Sequence, residues 1–214
     1  MSRLFLSLLI LAGCLSLTQA ADPPRPRIVF LGDSLTAGYG VDPDAAYSAH
    51  LQARLDAAGW DYEVVNAGVS GDTTAGGLRR LKWIMRRPVD VLVICLGGND
   101  ALRGLDLTVS RANLEAIIDG AREANPKIRI LLAGMEIHPN MGLDYMADFK
   151  AMYPAIATAK DVPLLPFILK DVAGNPELNI ADGIHPNEAG HQIIATTVWA
   201  ALEPLIKPAE PETE

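Results

Sequence analysis

The stretch VDVLVICLGGND, Val89–Asp100, decides the fold class. Within it, Val91–Leu96 is an uninterrupted apolar run with several β-branched side chains, as expected of a strand that is buried on both faces. Two glycines and two polar residues follow directly, so the chain leaves the core near Asn99. A strand without a solvated face belongs to a parallel sheet that helices cover on both sides.

Four further short apolar runs lie on either side of this stretch, and segments with helical spacing separate them. The apolar residues of those segments recur every three to four positions, which is typical of one helix face. Proline interrupts the last run, so we expect that strand at an edge of the sheet. The five predicted strands are Ile28–Leu31, Tyr62–Asn66, Val89–Leu96, Ile128–Ala133 and Val162–Phe167.

The alternation of strands and helices predicts an α/β fold. With right-handed crossovers, five strands give a three-layer α/β/α sandwich on a flavodoxin-like, five-stranded parallel sheet. Asn187 is the expected N-cap of the last helix. The predicted helices cover Tyr47–Leu55, Leu78–Met85, Val109–Ala121, Tyr145–Lys160 and Ile194–Leu205.

Length and composition are those of one globular domain. The chain has 214 residues, of which half are hydrophobic and 21% are charged, so it is short for two domains and too apolar for disorder. The formal net charge is -8, whereas a nucleic-acid-binding surface needs a basic excess, so we expect no nucleic acid partner. We predict a monomer with a single domain over residues 21–207 and an acidic, disordered tail over residues 208–214.

The first twenty residues have the pattern of a secretory signal peptide. One cation, Arg3, precedes an apolar run over Leu4–Leu17, and the segment ends at Ala20. We therefore predict cleavage near Ala20 and a periplasmic or secreted protein. Two alternatives stay open. The segment could be an anchor that is never removed, or the protein could be a lipoprotein, because the residues that end at Cys14 resemble a lipobox.

Short polar segments follow the ends of the predicted strands. Because the carboxyl ends of parallel strands meet at one edge of a sheet, we expect segments that are distant in sequence to lie together there. This edge is the predicted functional site. The segments are Gly32–Thr36, Ala67–Asp72, Gly97–Asp100 and Asp182–Asn187.

These segments contain the residue types that nucleophilic catalysis needs. Ser34 lies in a glycine-containing turn that can present a hydroxyl group, and His185 is the candidate base that a serine nucleophile requires. Asp182 precedes His185 by three residues, so it can hold the imidazole tautomer and stabilise the imidazolium ion. The N–H groups of Ser34 and Gly68 and the amide of Asn99 can stabilise a developing oxyanion.

Each of these residues also has an interpretation without catalysis. Ser34 could cap a helix, Asn99 could form an Asx turn, and Asp182 could belong to a simple turn. Other serines and histidines lie in predicted helices or loops, and we expect the histidines among them at the surface: Ser48, Ser70, Ser110, His50 and His191. A basic run is expected to be the solvated face of a helix: Arg79, Arg80, Lys82, Arg86 and Arg87.

Sequence motifs of several other site types are missing. No Gly-x-Gly-x-x-Gly follows a strand and no Gly-Lys-Ser/Thr occurs, so dinucleotide and P-loop sites lack their phosphate cradle. His-Glu-x-x-His is also missing, and the spacing of His185 and His191 is poor for zinc. Thr36 replaces the second glycine of Gly-x-Ser-x-Gly, so Ser34 does not lie in the nucleophile elbow of the α/β-hydrolases. We expect neither a cofactor nor a metal.

Together the four segments resemble the SGNH (GDSL) hydrolase family, which is named after its Ser, Gly, Asn and His. The matching residues are Ser34, Gly68, Asn99 and His185, and the acid of the family, three residues before the histidine, matches Asp182. The resemblance covers the chain after the leader and looks closest to the bacterial thioesterase I, lysophospholipase L1 and arylesterase subgroup. It implies a cofactor-free periplasmic serine esterase whose substrates are acyl esters, thioesters or lysolipids.

Apolar residues near the predicted site could wall a groove for an acyl chain. Alternatively, most of them pack beneath a loop, and the segment Met135–Tyr145 matches the family least. Membrane contact is expected only through the substrate or through a lipid on Cys14. A carbohydrate O-acetylesterase and a non-catalytic periplasmic binding module are the other functions that we consider. The predicted substrate-binding residues are Leu102, Leu105, His138, Met141 and Tyr145.

Overall fold

The computed structural model describes residues 24–137 and 142–207. Within these ranges the strands are β1 (Arg27–Gly32), β2 (Glu63–Gly68), β3 (Val91–Cys95), β4 (Arg129–Ala133) and β5 (Leu164–Leu165). They form one sheet in the order β2-β1-β3-β4-β5, and every neighbouring pair is parallel. The predicted α/β fold with a five-stranded parallel sheet is therefore confirmed.

The edges of the sheet differ from its centre in burial. Every residue of β1 and β3 is buried, whereas β2 at one edge is only partly buried. At the other edge, β5 is two residues long, shorter than the predicted strand. Pro163 and Pro166 flank it, and a proline has no N–H to donate to a neighbouring strand.

Five long helices match the predicted ones in position, and Asn187 caps the last by accepting the N–H of Gly190. Two additional helices, directly after β1 and β3, have four and five residues, which is too short for a periodic sequence pattern. The helices are α1 (Ser34–Ala37), α2 (Tyr47–Ala57), α3 (Thr74–Ile84), α4 (Gly98–Leu102), α5 (Leu107–Ala124), α6 (Leu143–Lys160) and α7 (Glu188–Ile206).

The long helices form two groups. Helix α2 packs against α7, while α5 packs against both α3 and α6. The first crossover runs from β1 outward to β2, and the later crossovers run in the opposite direction across the sheet. Right-handed connections therefore place the two groups on opposite faces, which gives the predicted three layers.

Some predictions concern residues outside the described ranges. They are the signal peptide over residues 1–20 with the alternative lipid site at Cys14, the tail over residues 208–214, and the substrate-binding roles of His138 and Met141. Among the helices of residues 24–137 and 142–207, none has the length and apolar character that a membrane span requires.

The prediction that His191 lies at the surface is wrong. Helix α7 packs against α2, and His191 is fully buried between them, where its Nδ1 accepts the N–H of Tyr47 at 3.3 Å. Burial, with the neighbouring His50 and His185, lowers the pKa of His191 to about 4. His191 is therefore a neutral part of the core at physiological pH.

Candidate active site

Ser34 lies at the carboxyl end of β1, as the first residue of α1. The turn is tight because Gly32 packs directly against Thr36, so that a Cβ on Gly32 would collide with the threonine side chain. The carboxylate of Asp33 caps α1 by accepting the N–H of Leu35 at 3.0 Å. As the first helical residue, Ser34 has a backbone N–H with no intrahelical acceptor.

The structure brings Ser34, His185 and Asp182 together. His185 Nε2 lies 2.8 Å from Ser34 Oγ, although the two residues are 151 positions apart in the sequence. His185 Nδ1 lies 2.6 Å from Asp182 Oδ2. These two contacts align a hydroxyl, an imidazole and a carboxylate in the order that the sequence predicts for a nucleophile, a base and an acid.

The loop that carries His185 is held by its own hydrogen bonds. Asp182 Oδ1 accepts the N–H groups of Ile184 at 2.9 Å and of His185 at 3.0 Å. The N–H of Ile180 donates to the carbonyl of His185 at 2.8 Å and closes the loop. Desolvation raises the pKa of Asp182, but the hydrogen bonds from His185 and Ile184 outweigh it and hold this pKa at about 2. Asp182 is therefore charged at neutral pH.

Gly68 and Asn99, the other two predicted oxyanion donors, come from β2 and α4. Gly68 ends β2 and pairs in register with Gly32, and a Cβ on Gly68 would collide with the backbone of Ala37. The N–H of Gly68 donates to Asn66 Oδ1 at 2.9 Å, an acceptor that sequence reasoning did not anticipate. Asn99 lies in the first turn of α4.

Asp33 is a buried acid that sequence reasoning left without a role. It is 2% exposed, and its Oδ2 accepts Asn99 Nδ2 at 3.3 Å while its Oδ1 caps α1. Burial raises the pKa of Asp33 to about 6, although the N–H of Leu35, the nearby His185 and the Asn99 amide each act to lower it. An ionised carboxylate only accepts hydrogen bonds, so it fixes which end of the Asn99 amide faces it.

One member of the basic run on α3 is not a solvated side chain. Arg80 donates to Asp72 at 2.9 Å, to the carbonyl of Ala67 at 3.0 Å and to the carbonyl of Gly32 at 3.3 Å. It therefore joins the carboxyl ends of β1 and β2, and the predicted solvated position is wrong for this residue. The other members are exposed: Arg79, Lys82, Arg86 and Arg87.

Apolar side chains surround this edge of the sheet. Leu102 and Leu105 were both predicted to bind substrate, and both are exposed, at the end of α4 and in the loop after it. Tyr145, also predicted, donates its hydroxyl to the carbonyl of Leu105 at 2.7 Å and so connects α6 to this loop. Tyr39, which the sequence analysis did not single out, packs its ring against that of His185 with centroids 4.7 Å apart.

Across residues 24–137 and 142–207, no cluster of three or more His, Cys, Asp or Glu side chains could hold a metal ion.

Curated relatives cover nearly the whole chain. Esterase TesA of Pseudomonas aeruginosa is 39% identical over 92% of this chain and 98% of its own length. Thioesterase 1/protease 1/lysophospholipase L1 of Escherichia coli is 39% identical over 84% of each chain. An arylesterase of Vibrio mimicus is 35% identical over 91% of this chain and 95% of its own length.

The fold and a family model agree with these relatives. The crystal structure of a TesA protein superimposes with a TM-score of 0.79 at 40% identity, over 84% of this chain and 99% of the other. The model of the GDSL-like Lipase/Acylhydrolase family matches residues 30–193, which include Ser34, Gly68, Asn99, Asp182 and His185. On this match and on relatives that share almost its full length, the chain belongs to the GDSL-like lipase/acylhydrolase family, the SGNH hydrolases, and is a carboxylic-ester hydrolase.

Proposed function

We propose that the protein is an exported serine esterase that cleaves acyl esters and thioesters through an acyl-enzyme on Ser34. The observation that carries the proposal is the pair of contacts at His185, 2.8 Å to Ser34 Oγ and 2.6 Å to Asp182. Both lie in the range in which a base can take a proton and an acid can orient that base.

In the first half-reaction, Ser34 Oγ attacks the carbonyl carbon of the substrate and gives its proton to His185 Nε2. Asp182 stays ionised and stabilises the imidazolium ion that forms. His185 then gives the proton to the leaving oxygen or sulfur, and the acyl group stays on Ser34. In the second half-reaction, His185 takes a proton from the water that attacks the acyl carbon, and it then returns this proton to Ser34 Oγ as the acid is released.

The oxyanion of each tetrahedral intermediate needs donors on the side away from His185. The free N–H of Ser34 and the second N–H of Asn99 Nδ2 are suited to this role, because Asp33 takes only one of the two amide protons. Gly68 is the third proposed donor. The N–H of Gly68 donates to Asn66 Oδ1 in this structure. When substrate binds, this N–H must therefore either bond both Asn66 and the oxyanion or leave Asn66 for the oxyanion.

The acyl part of the substrate is expected to lie against the apolar side chains around the site. Leu102 and Leu105 are exposed soon after the Asn99 segment, and the Tyr145 hydroxyl bonds the carbonyl of Leu105, so we assign this apolar surface to the acyl chain. Uncharged acyl chains of medium length suit such a surface. Esters, thioesters and lysolipids named by the relatives all present an acyl carbonyl of this kind.

The test is hydrolysis of p-nitrophenyl esters from acetate to palmitate by the wild type, Ser34→Ala and Ser70→Ala. Ser70 lies on the same edge without a base, so it is the matched control. We expect an optimum at butyrate or longer, a loss of at least about 10³-fold in Ser34→Ala, and no change in Ser70→Ala. An acetate-only profile would indicate a carbohydrate O-acetylesterase instead, and equal activity of all three proteins would contradict the mechanism.

A further inference from the structure

The positions of the base and of the oxyanion donors determine where each part of a substrate lies. A tetrahedral carbon on Ser34 Oγ carries three other substituents: the oxyanion, the acyl chain and the leaving group. The oxyanion must point toward Gly68 and Asn99. Since His185 Nε2 hands its proton to the leaving atom, the leaving group must lie beside the imidazole ring.

An aromatic side chain already lies beside that ring. The ring centroids of Tyr39 and His185 are 4.7 Å apart, and the planes are tilted by 49°. Tyr39 is 52% exposed, so one part of its ring contacts the imidazole and the rest faces solvent. A leaving group that takes its proton from Nε2 lies beside the imidazole, so an aromatic ring in it can contact Tyr39; aromatic rings attract each other at centroid separations of about 4.5–7 Å.

The backbone holds Tyr39 in this position. Its N–H donates to the carbonyl of Ser34 at 3.0 Å, which attaches it to the turn that presents the nucleophile. Gly38 and Gly40 on either side have φ of 74° and 87°, a left-handed conformation that other residues rarely adopt. At Gly40 a Cβ would also collide with Ile180, in the segment that leads to Asp182.

We infer that Tyr39 is the platform for the leaving group, and that it favours flat, aromatic alcohols and thiols. This inference rests on the proposed function, because it requires Ser34 and His185 to act as described. It separates two surfaces: Tyr39 on the side of the base contacts the alcohol or thiol, whereas Leu102 and Leu105 on the side of Asn99 contact the acyl chain.

The test uses three esters of butanoic acid with methanol, benzyl alcohol and phenol, so that only the leaving group changes. kcat/KM, which reports acylation, is measured for the wild type, Tyr39→Ala, Tyr39→Phe and Trp83→Ala. Trp83 is an exposed aromatic near the far end of α3 and is the matched control. Thermal unfolding of each variant checks that it is folded.

For Tyr39→Ala we expect kcat/KM to fall about three- to tenfold for the benzyl and phenyl esters relative to the methyl ester, the range of one aromatic contact. Tyr39→Phe keeps the ring and should retain the wild-type ratios, as should Trp83→Ala.

A different pattern would overturn the inference. Phenoxide leaves with little help from an acid, whereas alkoxides need the proton of His185. If Tyr39 only held the imidazole in place, Tyr39→Ala would therefore lower the methyl and benzyl rates more than the phenyl rate. Equal losses for all three esters would also contradict a leaving-group platform. A wild type that hydrolyses none of the three would remove the proposed function itself.

Discussion

Asp33 connects the turn of Ser34 to Asn99, a proposed oxyanion donor. Its two carboxylate oxygens have separate tasks, since one caps α1 at Leu35 and the other meets the Asn99 amide. The side chain is almost completely buried, so its environment is fixed by protein groups and not by solvent. Replacing the carboxylate oxygen of Asp33 that contacts Asn99 should therefore alter catalysis by changing the orientation of the Asn99 amide.

The variant Asp33→Asn tests this connection. Its oxygen can still cap α1, but its NH₂ group would face the NH₂ group of Asn99, and two donors cannot bond. The Asn99 amide must turn away, and we expect kcat to fall by about 10²–10³, the effect of losing one oxyanion donor. KM should change little.

The control is a double-mutant cycle with Asn99→Ala. We expect Asn99→Ala alone to lower kcat by a similar factor, about 10²–10³. If Asp33 acts through Asn99, adding Asp33→Asn to that variant should cost little more. If the loss of kcat in the double variant equals the product of the two single losses, Asp33 acts on the reaction by a route other than Asn99.

The same carboxyl group predicts a pH dependence of stability. The pKa of Asp33 is raised by burial from 3.8 to about 6, so the folded state binds this proton more tightly than the unfolded chain does. The resulting stability is complete below about pH 4 and is lost as the pH rises through 6. From pH 4 to 7 the wild type should lose about 2 kcal/mol of unfolding free energy relative to Asp33→Asn. Denaturant unfolding measures this difference, and parallel pH profiles of the two proteins would contradict it.

At the scale of elements, the contact between β2 and α1 depends on the absence of a side chain at Gly68. A Cβ there would collide with the backbone of Ala37, which cannot move without moving α1 and Ser34. We expect Gly68→Ala to lower the unfolding free energy by about 1–3 kcal/mol and kcat/KM by about tenfold or more.

Gly59→Ala is the matched control for this substitution. Gly59 has φ of 69°, and a Cβ there would meet no atom within 4 Å. Its left-handed conformation should cost about 1–2 kcal/mol of stability and leave kcat/KM unchanged. Thermal unfolding of both variants measures the loss of stability, and ester hydrolysis measures whether Ser34 is displaced. Backbone strain alone should lower only the stability. An active Gly68→Ala enzyme would show that α1 tolerates the shift.

The long helices and strands could be predicted from the sequence because each is long enough to show a pattern. In a helix, apolar residues recur over several turns, and in a buried strand they form a continuous run. Helices α1 and α4 have a single turn, and the prolines around β5 shorten a strand whose residues otherwise look apolar. His191 and Arg80 were misjudged for a different reason. Periodicity indicates which face of a helix is polar, but it does not show that another helix or a strand end covers that face.

The proximity of the predicted site residues could be expected from the sequence because the parallel sheet itself brings the ends of its strands together. Ser34, Asn99 and His185 each follow a recognisable pattern of glycine and polar residues. Asp33, Asn66 and Tyr39 have no such signal, because their importance depends on contacts: with the Asn99 amide, with the Gly68 N–H and with the imidazole ring. Only the folded chain displays those contacts.

At the scale of the whole molecule, the proposed export predicts a mature chain that begins at Ala21. Fractionation of cells that express the full sequence, followed by intact-mass measurement of the active fraction, measures this start directly. A protein that begins with a lipid-modified Cys14 would indicate a lipoprotein, and a mass that includes Met1–Ala20 would contradict cleavage. Replacing Ala20 with a bulky residue should block the processing of a signal peptide but not the modification of Cys14.

The 151 positions between Ser34 and His185 also determine when the enzyme can first act. Ser34, the proposed nucleophile, is among the first residues of the fold to be synthesised, and His185, its proposed base, is among the last, just before α7. A growing chain, or one in transit as an unfolded polypeptide, therefore carries a serine without a partner. Under the proposed export, activity begins only at the destination, so the acyl esters and thioesters of the compartment that makes the protein are not exposed to it.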